Sequence, residues 1–140
     1  MSLTPSDRLP AELASAVPAA RFQILYFMRT ADCPVCKSHV RRLVALQPAL
    51  ASLGAAVAIF APDEETPAWA ATTPLPLVLG LAAYGAAGLG RTLAAIQQSG
   101  TIVAQRGVVL DVRRATLPFR AFDERALLGL LREAGAAAAA

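Results

Sequence analysis

The run "FQILYFM" at residues 22–28 stops five residues short of Cys33-Pro34-Val35-Cys36. Beyond that quartet, Val40, Leu43, Val44, Leu50 and Leu53 recur at roughly helical spacing. A short apolar and aromatic run of this kind reads as a buried strand. Pro34 suits the first turn of a helix, where the N–H it lacks would have no partner in any case. The chain is therefore expected to pass from strand to helix where its first cysteine stands, with Cys33 near the N-cap and Cys36 one turn further in. Pro48 is placed to kink this helix and Gly54 to end it.

Downstream the alternation continues. "AAVAIFA" at 55–61 reads as a second buried strand and "LPLVLG" at 75–80 holds a third. The stretch 62–76 carries four prolines and three acids, which predicts a loop with one short helix over 64–71. Residues 82–96 are expected to be helical in part, interrupted by Gly85, Gly88 and Gly90. "GTIVAQRGVVLDVRR" at 100–114 reads as a hairpin turning around Gln105, Arg106 and Gly107. Asp123 fits the N-cap of a closing helix whose Leu127, Leu128, Leu130 and Leu131 form one broad apolar face; the alanine tract after it is expected to fray. Strands alternating with helices, then a hairpin and a last helix, imply an α/β sandwich with a mixed central sheet flanked by helices. A single domain over 1–140 with a short N-terminal extension accounts for the length.

Although 56% of the residues are hydrophobic, no stretch of about eighteen lacks a polar break, so no membrane span is expected. The N-terminus has no basic start before a long apolar segment, and Pro5, Pro10 and Pro18 interrupt it, which argues against a secretory signal. The expectation is a cytoplasmic location, where a cysteine pair is more often catalytic or metal-binding than a staple. The net charge of +3 is modest and no basic run is interleaved with aromatics, so nucleic acid is not an expected partner.

At a helix start, unpaired backbone N–H groups and the positive end of the helix dipole favour a thiolate on Cys33. Sulfurs at this spacing can close a small disulfide ring, so one thiol can attack while the second resolves the product. Other readings compete. Cys33, Cys36 and His39 supply three ligands of a tetrahedral zinc site, with Asp32 or a second chain as the fourth. Haem attachment would need histidine directly after the second cysteine, where Lys37 stands. The pair can also serve as two small core hydrophobes. Redox chemistry without a metal or cofactor is favoured by the surroundings, because Arg29, Lys37, His39, Arg41 and Arg42 flank the pair and cations lower a thiol pKa. His39 and Arg42 fit equally the exposed face of an amphipathic helix, which leaves Lys37, beside Cys36, as the leading candidate.

Charge alone brings limited speed. Lowering a thiol pKa from about 8.5 to about 6 raises the thiolate fraction at neutral pH about thirtyfold, but costs about tenfold in nucleophilicity. A fast enzyme also needs donors for the charge that builds on the leaving atom.

The stretches "ILYFMRTADCPVCKSHVRRL", "LGAAVAIFAPD" and "YGAAGLGRTLAAIQQSGTIVAQRGVVLDVRR" resemble the peroxiredoxin-like branch of the alkyl hydroperoxide reductase/thiol-specific antioxidant (AhpC/TSA) family, within the thioredoxin-like superfamily. The resemblance implies a thioredoxin-like sandwich and a peroxidatic cysteine in the first helix turn, matched by Cys33. It also implies a threonine three residues earlier, matched by Thr30. Where the family has a proline four residues before that threonine, this chain has Tyr26. Where the family's later arginine commonly precedes the "GTIVAQ" strand, alignment by eye gives Gln98, so Arg29 or Arg91 is the replacement to look for. The region of the thioredoxin cis-proline likewise holds Gln98 or Ser99. Gln97, Gln98 and Ser99 are candidates to line the site, and Trp69 is a candidate rim aromatic.

The implied activity is a thiol-dependent peroxidase in which Cys33 attacks a hydroperoxide and Cys36 resolves it. Thr30 would orient the substrate, while Arg29 or Lys37 would support the anion. An external dithiol such as a thioredoxin or glutaredoxin would be the reductant, and a homodimer is common among such relatives. A general thiol-disulfide exchanger and a low-turnover redox-sensing module are the alternatives.

Overall fold

The computed structural model describes residues 2–92 and 95–139. At its centre lies β1 (Phe22–Phe27), with all six residues buried. Side chains alternate across a strand, so β1 feeds two cores. Phe22, Ile24 and Tyr26 share one with Val40, Leu43, Leu50, Leu127 and Leu131. Leu25 and Phe27 share the other with Leu13, Tyr84 and Ala87. A strand covered on both faces needs continuous apolarity rather than alternation, and β1 carries a single polar residue. That residue, Gln23, donates from its side chain to the carbonyls of Ala14 and Val17 at 3.1 and 3.4 Å.

Four further strands complete the sheet: β2 (Ala55–Ala61), β3 (Leu77–Leu79), β4 (Ser99–Gln105) and β5 (Val108–Ala115). Their order is β3-β2-β1-β4-β5. The β1–β2 and β2–β3 pairs are parallel, the β1–β4 and β4–β5 pairs antiparallel. The helices are α1 (Ala11–Ala14), α2 (Pro34–Ala45), α3 (Gln47–Ser52), α4 (Ala82–Ala87) and α5 (Glu124–Ala139). Residues of α2, α3 and α5 pack on one face of the sheet, and those of α1 and α4 on the other. This is the mixed, helix-flanked sandwich of the thioredoxin-like class. β4 and β5 approach so closely at Gly100 that a Cβ there would lie 2.1 Å from the Arg113 carbonyl oxygen. Arg106 and Gly107, with φ of 51° and 82°, make the tight turn between these strands.

Several boundaries differ from the sequence reading. Pro48 does more than kink its helix: the chain breaks at Leu46 into α2 and α3, with the proline inside the first turn of the second. Gly54 then closes α3 with φ of 76°. The helix expected over 64–71 is only a 3₁₀ turn, Ala68–Thr72, and begins after Pro67, which disfavours helical backbone in the residue before it. The helix expected within 82–96 ends at Ala87, because Gly88 takes left-handed φ and Leu89 N–H donates back to the Tyr84 carbonyl. Beyond it Arg91 bridges Gln97, and Leu93 and Ala94 lie outside the described residues. Asp123 caps α5 by accepting from Ala126 N–H at 3.0 Å, and the alanine tract expected to fray is helical as far as Ala139. Among the described residues no helix is long and apolar enough to cross a membrane.

Candidate active site

The end of β1 is held before the cysteines begin. Tyr84 hydroxyl lies 2.5 and 2.9 Å from the carbonyl oxygens of Met28 and Phe60, tying β1 to β2 at the point where the chain leaves the sheet. Ala31 is gripped through both of its backbone polar groups. Its N–H donates to Asp63 at 2.8 Å, and its carbonyl accepts from the Trp69 indole at 2.9 Å. The loop over 62–72 thus positions the three residues before Cys33.

Cys33 is the N-cap of α2, with extended backbone (φ −61°, ψ 117°) and Pro34 directly after it. Its sulfur accepts from Cys36 N–H at 3.4 Å, one of the donors a helix start leaves unpaired. The Cys36 sulfur accepts from Arg29 N–H at 3.3 Å. Both thiols are free and buried. Cys33 is 3% exposed and lies just under the surface, whereas Cys36 is fully enclosed and deeper.

The two differ in acidity. Burial alone would raise Cys33, but hydrogen bonds from the Cys36 thiol and N–H, and from the Arg29 side chain, together with the Arg29 charge, outweigh it; the thiol falls below its ordinary value. Burial pushes Cys36 up to about 11, against the pull of Arg29 N–H, and its contacts with Cys33 add to the rise.

Arg29 also faces a hollow of about 230 Å³ lined by Arg29, Thr30, Pro62, Arg91, Ala95, Ile96 and Gln97. Its Nε is buried and finds no hydrogen-bond partner among the described residues. Thr30, Arg29 and Arg91 thus line one hollow, and Cys33 is not among its lining residues. Gln98 is not among the lining residues. Its side chain accepts from Gly90 N–H at 3.2 Å, and the neighbouring Gln97 faces the hollow instead while donating to the carbonyls of Leu89 and Gly90. Ser99 is buried, donating to the Ala115 carbonyl. Lys37 also goes elsewhere: it lines a separate groove of about 350 Å³ with Val40, Arg41, Val44, Trp69 and Pro74, whereas the charge that lowers Cys33 is that of Arg29.

His39 is the largest departure from the sequence reading. It is half-buried rather than a solvated cation, and its Nδ1 lies 2.6 Å from the Tyr26 hydroxyl. Its ring meets Tyr26 edge-on at 5.6 Å and Phe122 at 5.4 Å between centroids. Tyr26 and Cys36 are buried in the same core. Burial holds Tyr26 well above the ordinary phenol range, and burial lowers His39. In the sequence Tyr26 stands out only where a proline is replaced; its bond to His39 depends on the β1–α2 packing, which no local motif encodes. Among the described residues, no cluster of three or more His, Cys, Asp and Glu side chains is placed to hold a metal.

A thioredoxin-type sandwich with paired thiols at the first turn of its central helix defines the class of fold. Within that class, solved peroxiredoxins are similar throughout their length. The Mycobacterium tuberculosis peroxidoxin BcpB superposes with a TM-score of 0.72 at 20% identity, covering 94% of this chain and 97% of that one. Mycobacterium tuberculosis AhpC gives 0.73 at 13%, covering 96% and 94%. The Xanthomonas campestris bacterioferritin comigratory protein, a structure concerned with alkyl peroxide reduction activity, gives 0.69 at 16%, covering 94% and 99%. No family model and no curated protein matches the sequence. The chain thus has the peroxiredoxin-like form of the thioredoxin fold.

Proposed function

We propose that this protein is a thiol peroxidase. The observation that carries the reading is the placement of Cys33: a sulfur at a helix N-cap that accepts from Cys36 N–H, near the charge of Arg29, whose buried Nε has no partner among the described residues and which lines a hollow with Thr30 and Arg91. The Cys33 thiolate attacks one peroxide oxygen and the O–O bond breaks. Cys33 becomes a sulfenic acid, and the other oxygen leaves as an alkoxide or hydroxide that takes a proton from solvent. Arg29, assisted by Arg91, holds the charge on the leaving oxygen; Thr30 orients the peroxide. Cys36 then displaces the sulfenic oxygen, giving a Cys33–Cys36 disulfide and water. An external dithiol, a thioredoxin or glutaredoxin, returns the pair to its reduced state.

The fold shared with a protein concerned with alkyl peroxide reduction supports this substrate class. A cytoplasmic location, where thiols are kept reduced, goes with it, and assembly as a homodimer completes the proposal. The test mixes reduced protein with hydrogen peroxide and follows the intact mass. Closure of the Cys33–Cys36 disulfide at micromolar peroxide is expected. Slow closure together with brisk reduction of insulin disulfides would overturn the peroxidase in favour of a general thiol-disulfide exchanger.

A further inference from the structure

One face of α2 carries charge that no neighbouring side chain answers. Lys37, Val40, Arg41 and Val44 recur at helical spacing and so form a single stripe along the helix. That stripe lines the groove of about 350 Å³ together with Trp69, Thr72, Thr73 and Pro74. Val40 is buried, Val44 and Trp69 are partly so, and the groove between them is mainly apolar. Two of its lining residues are cations and none is a carboxylate.

Lys37 and Arg41 stand four residues apart on the helix, where two like charges repel. Lys37 also lies in the first turn of α2, near the positive end of the helix dipole, where a cation is disfavoured. Arg42, next in the chain to Arg41, is by contrast paired with Glu124, and among the described residues no carboxylate pairs with Lys37 or Arg41. Two unpaired cations held together beside an apolar surface call for an anion with an apolar body. Thr73 adds a hydroxyl: its Oγ accepts from Leu75 N–H at 3.4 Å and keeps its own hydrogen to donate.

We propose that this groove binds an amphipathic carboxylate, with its charged group between Lys37 and Arg41 and its hydrocarbon along Val40, Val44, Trp69 and Pro74. A volume of about 350 Å³ is at the small end of ligand sites, which suits one chain of medium length rather than a two-chain lipid. The alkyl stems of Lys37 and Arg41 lie along apolar surface while their charged ends meet the carboxylate. The groove shares no lining residue with the hollow beside Arg29 and Thr30, so the proposal stands whether or not the protein reduces peroxides. One ring links it to the cysteines. The indole of Trp69, which lines the groove, donates to the Ala31 carbonyl just before Cys33, so an occupant touches the side chain that holds that segment.

The probe is sodium octanoate, used below its micelle-forming range, set against octanol, which has the same chain without the charge. Binding to the reduced full-length chain is followed by calorimetry and by Trp69 emission. One octanoate per chain is expected, held about tenfold more tightly than octanol. That preference should vanish in Lys37→Gln/Arg41→Gln, while octanol binds both proteins alike. Lys37→Gln alone should lose about threefold of it, and decides the matter should the double variant fail to fold. Equal affinity of the wild type for octanoate and octanol overturns the site. So does a preference that survives the substitutions, or an absence of saturable binding. Sedimentation is the last check: a wild-type dimer that the double variant splits gives the groove to a second copy of the chain and overturns the ligand.

Discussion

Cys33 and Cys36 are the same residue on one helix turn, and their surroundings drive them in opposite directions. Both are buried, Cys36 the more deeply, and burial raises the pKa of each. Cys33 meets a guanidinium and a helix-start N–H, and it becomes the more acidic. Cys36 is deeper, its sulfur held by the Arg29 backbone N–H, and becomes the less acidic. The difference teaches that the helix N-terminus prepares a thiolate only where a fixed cation shares the work. One turn further in, enclosure wins and the sulfur waits as a thiol.

The comparison breaks most visibly when either sulfur is removed. Cys33→Ser is expected to abolish peroxide turnover. Cys36→Ser should still form the sulfenic acid but never the intramolecular disulfide, and intact mass distinguishes the two. Next in size is the cation: Arg29→Met should raise the Cys33 pKa and slow its oxidation roughly a hundredfold. Thiolate absorbance and peroxide consumption measure these effects. Lys37→Met serves as the contrast, with the Cys33 titration expected to stay where it was.

A stability measurement sharpens the other half. The folded pKa of Cys36 lies above that of a free thiol, so the unfolded chain releases this proton first as pH rises. Stability is intact below about 9, the ordinary value, and falls as pH climbs toward about 11. The urea midpoint of the reduced protein should drop across that window, and Cys36→Ser should flatten the drop. Cys33 has the opposite sign: its contribution is present above the unfolded thiol pKa and is lost as pH falls through its depressed folded value. The smallest effect belongs to Arg42 and Glu124, whose ion pair is exposed. Arg42→Ala should leave the urea midpoint unchanged within error, showing that a cation shapes chemistry here only beside a sheltered partner.

What the sequence showed was set by local pattern. The continuous apolar runs at 22–28 and 55–61 mark strands covered on both faces, and Pro34 marks a helix start, so the N-cap position of Cys33 was legible. Arg29 could be named but not chosen over Lys37, because helix direction decides which of two flanking cations reaches a sulfur. Gln97 and Gln98 are both candidates to line the site, Gln98 at the position where the family's arginine is missing, and it is Gln97 that faces the hollow; that one-residue register goes with the Arg91–Gln97 bridge, invisible in composition. His39 read as a surface cation because its neighbours Tyr26 and Phe122 come from other elements. Long-range packing, not local propensity, decided its environment.

The two-sided grip on Ala31 has a practical consequence. The indole that holds its carbonyl belongs to the chain's single tryptophan. Any shift of the segment before Cys33 as the sulfur changes oxidation state must tug on that ring. Intrinsic emission therefore gives the protein an unlabelled optical gauge of its own redox cycle, with no second chromophore of that kind to blur the signal.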